Sequence, residues 1–296
     1  MGSEAYRVMR RRADASWRWL AMGTTVSLAG GIAVALGSRH FPFCFWLLGI
    51  LATAQQTAVA CWGLRLTTII CVGGAATVGL VFGRQWWRTV SSVRPLRTER
   101  VPSEMASIAA PLGLHGRLVM ACDERPWAFT RGFFRPSVVL SRGLVHRLNG
   151  AEIEAVLWHE WHHVLRRDPL RVWVAHAACA LFFWWAPARR LFDTFALATE
   201  LAADACAMEH VGRRHLASAL HTLVSAPRPV RFTPVLGLLG TSGAALGPRV
   251  AQIEAFPRAL PPEDDPWQAG GAAPALLGCI MAWMVLLACA ASLVLR

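Results

Sequence analysis

Four apolar blocks stand out along the chain: Trp19–Leu36, Phe41–Trp62, Leu66–Phe82 and Ala272–Leu295. Each is close to the length of a helix that crosses a bilayer, so the pattern predicts three spans near the start and one at the end. Gln55 and Gln56 interrupt the second block. Their amides are expensive against lipid and are expected to face the interior of a helix bundle. Trp86 and Trp87, beside Arg84 and Arg88, read as an interfacial belt.

After the third block the apolar stretches shorten. Leu118–Cys122, Ala128–Arg131 and Ser137–Ser141 predict short strands separated by Gly and Pro. Asn149-Gly150-Ala151-Glu152 has the form of a capping box, and helix-favouring residues then run to the cations Arg166 and Arg167. Asp168-Pro169 predicts a new helix, with Asp168 as its N-cap and Pro at the first helical position. Leu170–Ala186 is strongly apolar but, at 17 residues, marginal for a span, and is expected to pack against the preceding helix. Another helix is expected from Phe195 to His210, and Pro227–Pro274 reads as a Pro- and Gly-rich linker.

Composition sharpens this picture. The chain is 55% hydrophobic and 16% charged, with a mean hydropathy of +0.39, well above an ordinary soluble domain. All 30 basic residues are Arg, and the net charge of +12 reads as anchoring to anionic lipid. No basic-aromatic motif suggests direct nucleic-acid binding. The eight Cys are scattered singly, which suits small buried hydrophobes and argues against a disulfide frame or a thiolate metal site.

The candidate chemistry lies in His159-Glu160-Trp161-His162-His163, which contains the pattern H-E-x-x-H. On a helix, residues four apart share a face, so His159 and His163 can bind one Zn²⁺, and Glu160 can take a proton from a water activated there. A polar helix face that carries histidines by chance is the plain alternative, and the helix signals on both sides weigh against it. A zinc site needs a third protein ligand. Glu200 is the candidate, with Asp204 one turn further on, placed to accept a hydrogen bond from a ligand imidazole and fix its tautomer. A solvated face is the alternative for these two carboxylates, but their neighbours are Ala, Leu, Cys and Met. His162, His176 and His210 are expected bystanders. Either Trp127–Arg131 or Ser137–Leu140 could be an edge strand holding an extended substrate, and an ordinary core strand is equally open.

These residues carry a family resemblance. His159-Glu160-Trp161-His162-His163, Arg166-Arg167-Asp168-Pro169-Leu170, Glu200-Leu201-Ala202-Ala203-Asp204-Ala205 and the upstream Arg135–Leu144 segment resemble the BlaR/MecR-type membrane zinc metallopeptidases. The resemblance implies Zn²⁺ held by His159, His163 and Glu200, with Glu160 as general base. It also implies cleavage of a protein or peptide substrate such as a cytoplasmic transcriptional repressor. The C-terminal sensor domain of the best-known members is expected to be lacking here.

The expected fold class is an α-helical polytopic membrane protein of about four transmembrane helices, with an inserted mostly α, α+β zincin-like (gluzincin) domain. The expected divisions are a mobile basic tail at 1–16, a three-helix transmembrane region at 17–83, the peptidase domain at 84–226, the linker at 227–271 and a last transmembrane helix at 272–296. The expected location is the cell membrane, multi-pass, with the peptidase domain cytoplasmic. The expected function is a membrane-anchored zinc endopeptidase in a regulatory or signal-transducing role. The alternatives are a quality-control protease like HtpX or the CAAX proteases, and a non-catalytic membrane signalling or scaffold protein with a structural metal site.

Overall fold

The computed structural model describes residues 6–18, 21–22, 79–84, 87, 97–181, 186–225 and 246–256. Residues 6–18 are helical. The later elements, in order, are β1 (Thr98–Glu99), α1 (Ser103–Ala109), β2 (Leu118–Ala121), β3 (Ala128–Arg131), β4 (Ser137–Ser141), α2 (Arg142–Val145), α3 (Gly150–Arg166), α4 (Asp168–Leu181), α5 (Ala186–Val211), α6 (Arg213–Ser225) and α7 (Leu246–Ala255).

The sheet runs β1-β2-β4-β3. β2 lies parallel to β4 with Leu118 opposite Val138, and β3 pairs antiparallel to β4 with Ala128 opposite Leu140. Of the two candidate edge strands, β3 is therefore at the edge and β4 is interior. Alternation along the strands sends side chains to two faces. Ala128, Val138 and Leu140 join Ile153, Val156 and Leu157 in the main core, whereas Ala121, Phe129 and Val139 pack around Trp127 on the other side.

Helix α3 starts where its capping box closes. The Asn149 side chain accepts from Glu152 N at 3.0 Å, and the Glu152 carboxylate accepts from Asn149 N at 2.9 Å. It stops at Arg167, which adopts a left-handed conformation (φ 52°, ψ 40°) and donates its N–H to the carbonyls of His163 and Val164. That sharp stop lets α4 begin immediately at Asp168. Helix α5 packs against α3, and its small residues Ala198, Ala202, Ala203, Ala205 and Ala207 are all buried. On α6, Leu216, Ala219, Leu220 and Leu223 complete the main core.

No helix among the described residues is long and apolar enough to cross a membrane. This overturns the expected polytopic membrane class: the described elements form an α/β domain with a four-stranded mixed sheet. The reason is plain in the helix that covers most of the marginal apolar run and in the longest helix. Helix α4 has 14 residues, a length of about 21 Å against the roughly 30 Å of a bilayer core. Helix α5 has 26, but it carries Arg189, Arg190 and Asp193 exposed and Glu200 and Asp204 buried. The expected spans Phe41–Trp62 and Ala272–Leu295 lie outside the described residues, as do nearly all of Trp19–Leu36 and most of Leu66–Phe82.

Two segments behave differently from their sequence reading. The stretch read as a mobile basic tail is helical over residues 6–18 and docks on α5: Met9 packs with Leu201 and Ala202, and the Trp17 ring lies 6.0 Å from that of Phe195. Within the stretch read as a linker, Leu246–Ala255 forms α7, with Arg249, Gln252 and Ile253 buried.

Gly143, at the start of α2, sits where the chain passes closest to itself. A Cβ built there would lie 1.9 Å from the Glu124 carbonyl oxygen, a contact that flexible side-chain motion cannot relieve. Gly143→Ala is expected to cost about 3 kcal/mol, at the upper end of overpacking penalties, read as a lowered urea midpoint with an unchanged slope.

Candidate metal centre

His159 and His163 leave the same face of α3, and Glu200 approaches them from α5. His159 Nε2 lies 3.2 Å from His163 Nε2. Glu200 Oε2 is 3.5 Å from His159 Nε2, and Glu200 Oε1 is 3.8 Å from His163 Nε2. All three residues are 1% exposed or less. The structure thus brings together the three residues that the sequence spacing nominated as ligands.

The tautomers explain what such a cluster can do. His163 Nδ1 sits 3.0 Å from Asp168 Oδ2, and a carboxylate can only accept, so the proton is on Nδ1 and Nε2 offers a lone pair. His159 Nδ1 lies 3.0 Å from Asp204 Oδ1, off the hydrogen-bonding direction but facing the same kind of partner. With His159 in the same tautomer, two lone pairs point at one another beside Glu200, whose Oε2 accepts no hydrogen bond. That arrangement needs positive charge between the three atoms, as a metal cation or as a proton on His159. Ligands around a tetrahedral zinc stand about 3.3 Å apart, close to the separations here.

The charge balance points the same way. Four buried carboxylates (Glu160, Asp168, Glu200 and Asp204) face two buried guanidiniums, Arg171 and Arg249, so with neutral imidazoles the site carries an excess of negative charge that a cation would offset. His159 carries the strain of that excess: burial pushes its pKa down, but the Asp204 and Glu200 carboxylates outweigh burial and raise it to about 9. Burial alone would raise the Glu200 carboxyl, yet His159 and Arg249 hold it below its usual value. Asp204 is held lower still, against burial, by Arg249 and His159.

Arg249 is the residue that sequence reasoning missed most completely. From α7 its Nε donates to Asp204 Oδ2 at 2.7 Å and its Nη2 to Asp204 Oδ1 at 2.7 Å. Nη1 lies 3.4 Å from Glu200 Oε2, and the negative charge of Glu160 also favours its charged form. Nothing in the sequence marks it, because it follows a Pro- and Gly-rich stretch with no local pattern linking it to the motif. Thr130 on β3 was also missed as an individual residue. Its hydroxyl lies 2.7 Å from Glu160 Oε2 and 3.1 Å from the Glu160 carbonyl oxygen, and its single hydrogen serves one at a time, the charged carboxylate being the stronger acceptor.

Asp168 was read as a helix cap, but its carboxylate turns to His163 and to Arg171, whose Nη1 donates to Asp168 Oδ1 at 3.1 Å. Asp168→Ala is expected to weaken metal binding about 10- to 100-fold, the usual effect of losing a carboxylate behind a ligand imidazole, measured by titration against a chelating indicator. His162, His163 and Asp168 form a second compact group. Arg171 already neutralises that carboxylate, which disfavours a second cation. Burial drives the His162 pKa down to about 3, and its ring meets the edge of Tyr6 at 5.9 Å. His210 stacks on Trp158 at 3.5 Å, a packing role.

No curated protein matches the chain. The model of the family described as BlaR1 peptidase M56 matches residues 47–252, a stretch that contains the facing histidines, Glu160, Glu200, both supporting aspartates and Arg249. With the match covering more than half of its length, the chain belongs to the BlaR1 peptidase M56 family.

Proposed function

We propose that the protein is a zinc-dependent endopeptidase that cuts a regulatory protein or peptide substrate. The observation that carries this reading is the pair of imidazole nitrogens facing each other at 3.2 Å, with Glu200 across from them and Glu160 on the same helical turn. His159, His163 and Glu200 would hold the ion. Two nitrogens and one carboxylate suit Zn²⁺, which supplies a Lewis acid and a water acidic enough to ionise near neutrality.

The chain's own groups do the rest. Glu160 accepts the proton of the attacking water and returns it to the leaving amine. Thr130 holds the Glu160 carboxylate in place, while Asp168 keeps His163 in the tautomer that presents Nε2 and Asp204 faces Nδ1 of His159. Arg249 cancels part of the negative charge of Glu200 and Asp204, so the site does not expel its own carboxylates. An extended substrate would add along β3, the sheet edge beside α3, using main-chain hydrogen bonds for affinity. Because His159, Glu160, His163 and Glu200 are 1% exposed or less, access requires a covering element to move. That supports a protease kept latent until signalled.

The test is metal content and cleavage of an unfolded test protein by the purified chain, before and after chelation. One zinc per chain, with cleavage lost on chelation and restored by zinc, is the expected result. Stoichiometric zinc with no cleavage of any unfolded or regulatory substrate would favour a structural site, and absence of metal would overturn the ligand assignment.

A further inference from the structure

A cavity of about 430 Å³, whose lining includes none of the three candidate metal ligands, lies between the helix of residues 6–18 and the junction of α3 with α4. Tyr6, Arg10, Asp14 and Trp17 line it from one side, and Leu165, Arg166 and Arg171 from the other. Its charge does not balance. Three guanidiniums face two carboxylates: Asp14 in the lining, whose Oδ1 takes Arg166 and also Arg171 Nη2 at 3.0 Å, and Asp168 behind it, which takes Arg171 Nη1 at 3.1 Å and is shared with His163.

Arg171 shows the imbalance most directly. It is 7% exposed, and its Nε has no hydrogen-bond partner, although its guanidinium sits over the Trp17 ring at 5.2 Å. A buried, unpaired N–H on a cation is costly. Burial and the nearby charge of Arg171 depress the pKa of Arg166, and Arg10 adds to the repulsion. The Arg10 side chain hydrogen-bonds the Tyr6 hydroxyl, which places a second donor type beside it. The Trp17 ring, beneath the Arg171 guanidinium, and Leu165 supply the apolar part of the lining.

We propose that this cavity binds a phosphate group carried on an organic molecule. Guanidinium forks match phosphate oxygens and hold them by charge-assisted hydrogen bonds. The volume is within the range of small-molecule sites, roughly 300–1,000 Å³, and is larger than a bare phosphate needs, so the apolar walls are left for the rest of the ligand. A phospholipid headgroup and a soluble phosphate ester share this chemistry.

The experiment is calorimetric titration of the purified full chain with glycerol 3-phosphate. In parallel, flotation is measured with vesicles of phosphatidylglycerol in phosphatidylcholine and with phosphatidylcholine alone. Saturable binding of glycerol 3-phosphate is expected, weakened about tenfold or more in Arg10→Gln and in Arg171→Gln, as fits the loss of a charged hydrogen bond. Flotation with phosphatidylglycerol that glycerol 3-phosphate displaces would assign the headgroup as the source. Binding of the soluble ester without flotation would assign a free phosphate ester. Either result upholds the cavity. No saturable binding of the ester and no displaceable flotation would overturn the proposal, as would equal affinity in Arg10→Gln, whose side chain lies outside the Asp168–His163 network and so leaves the metal centre undisturbed.

Discussion

Glu160→Gln is expected to lower the rate of peptide cleavage about a thousandfold or more, with metal content and thermal stability unchanged. The amide has the shape of the carboxylate and can still accept from the Thr130 hydroxyl, which lies 2.7 Å from Glu160 Oε2, so the surroundings have no cause to rearrange. What the amide lacks is a basic oxygen. General acid–base groups typically contribute about 10²- to 10⁴-fold, and here one side chain is asked to serve in both directions of proton transfer. Single-turnover cleavage, with zinc quantified on the same sample, measures the effect. A Glu160→Gln enzyme retaining a tenth of the wild-type rate would move the base elsewhere in the site.

The second large effect is expected at Arg249. Arg249→Leu removes both short hydrogen bonds to Asp204 and the contact with Glu200, leaving two buried carboxylates without their counter-charge. Breaking a buried ion pair by deleting one partner costs about 3–5 kcal/mol, a large share of the stability of an ordinary domain. The loss is expected in urea unfolding with chelator present and is expected to shrink when zinc is added, because a bound dication relieves the same repulsion. Arg249→Lys should fall between the two, since it keeps the charge and loses the two-pronged geometry. Equal stability of Arg249→Leu and wild type under chelation would show that the clamp does not hold the site together.

The centre of the candidate site was legible because its information is local. His159, Glu160 and His163 are within one helical turn, and the capping box at Asn149 and Glu152 fixes that turn as helix. Glu200 and Asp204 were readable for the same reason, as two carboxylates one turn apart among small apolar residues. The strands Ala128–Arg131 and Ser137–Ser141, read as short runs separated by Gly and Pro, form with those bounds. What could not be read was anything set by tertiary approach. Asp168 looks like a cap until α3 ends at Arg167 and turns its carboxylate back towards His163. Thr130 is one strand residue among several until β3 is placed beside α3. Arg249 has no local signature at all. The membrane class is overturned on the described residues alone, where no helix is long and apolar enough to cross a bilayer and the apolar faces pack on one another and on the sheet.

Arg249 follows Asp204 by 45 residues, and this separation is also an interval of time. At ribosomal speeds of about 5–20 residues per second, a nascent chain spends several seconds with both histidines, Glu160 and Glu200 already made and their counter-charge not yet synthesised. During that interval the Glu200 and Asp204 carboxylates lack the guanidinium that balances them, so the centre reaches its final charge only late in the making of the polypeptide.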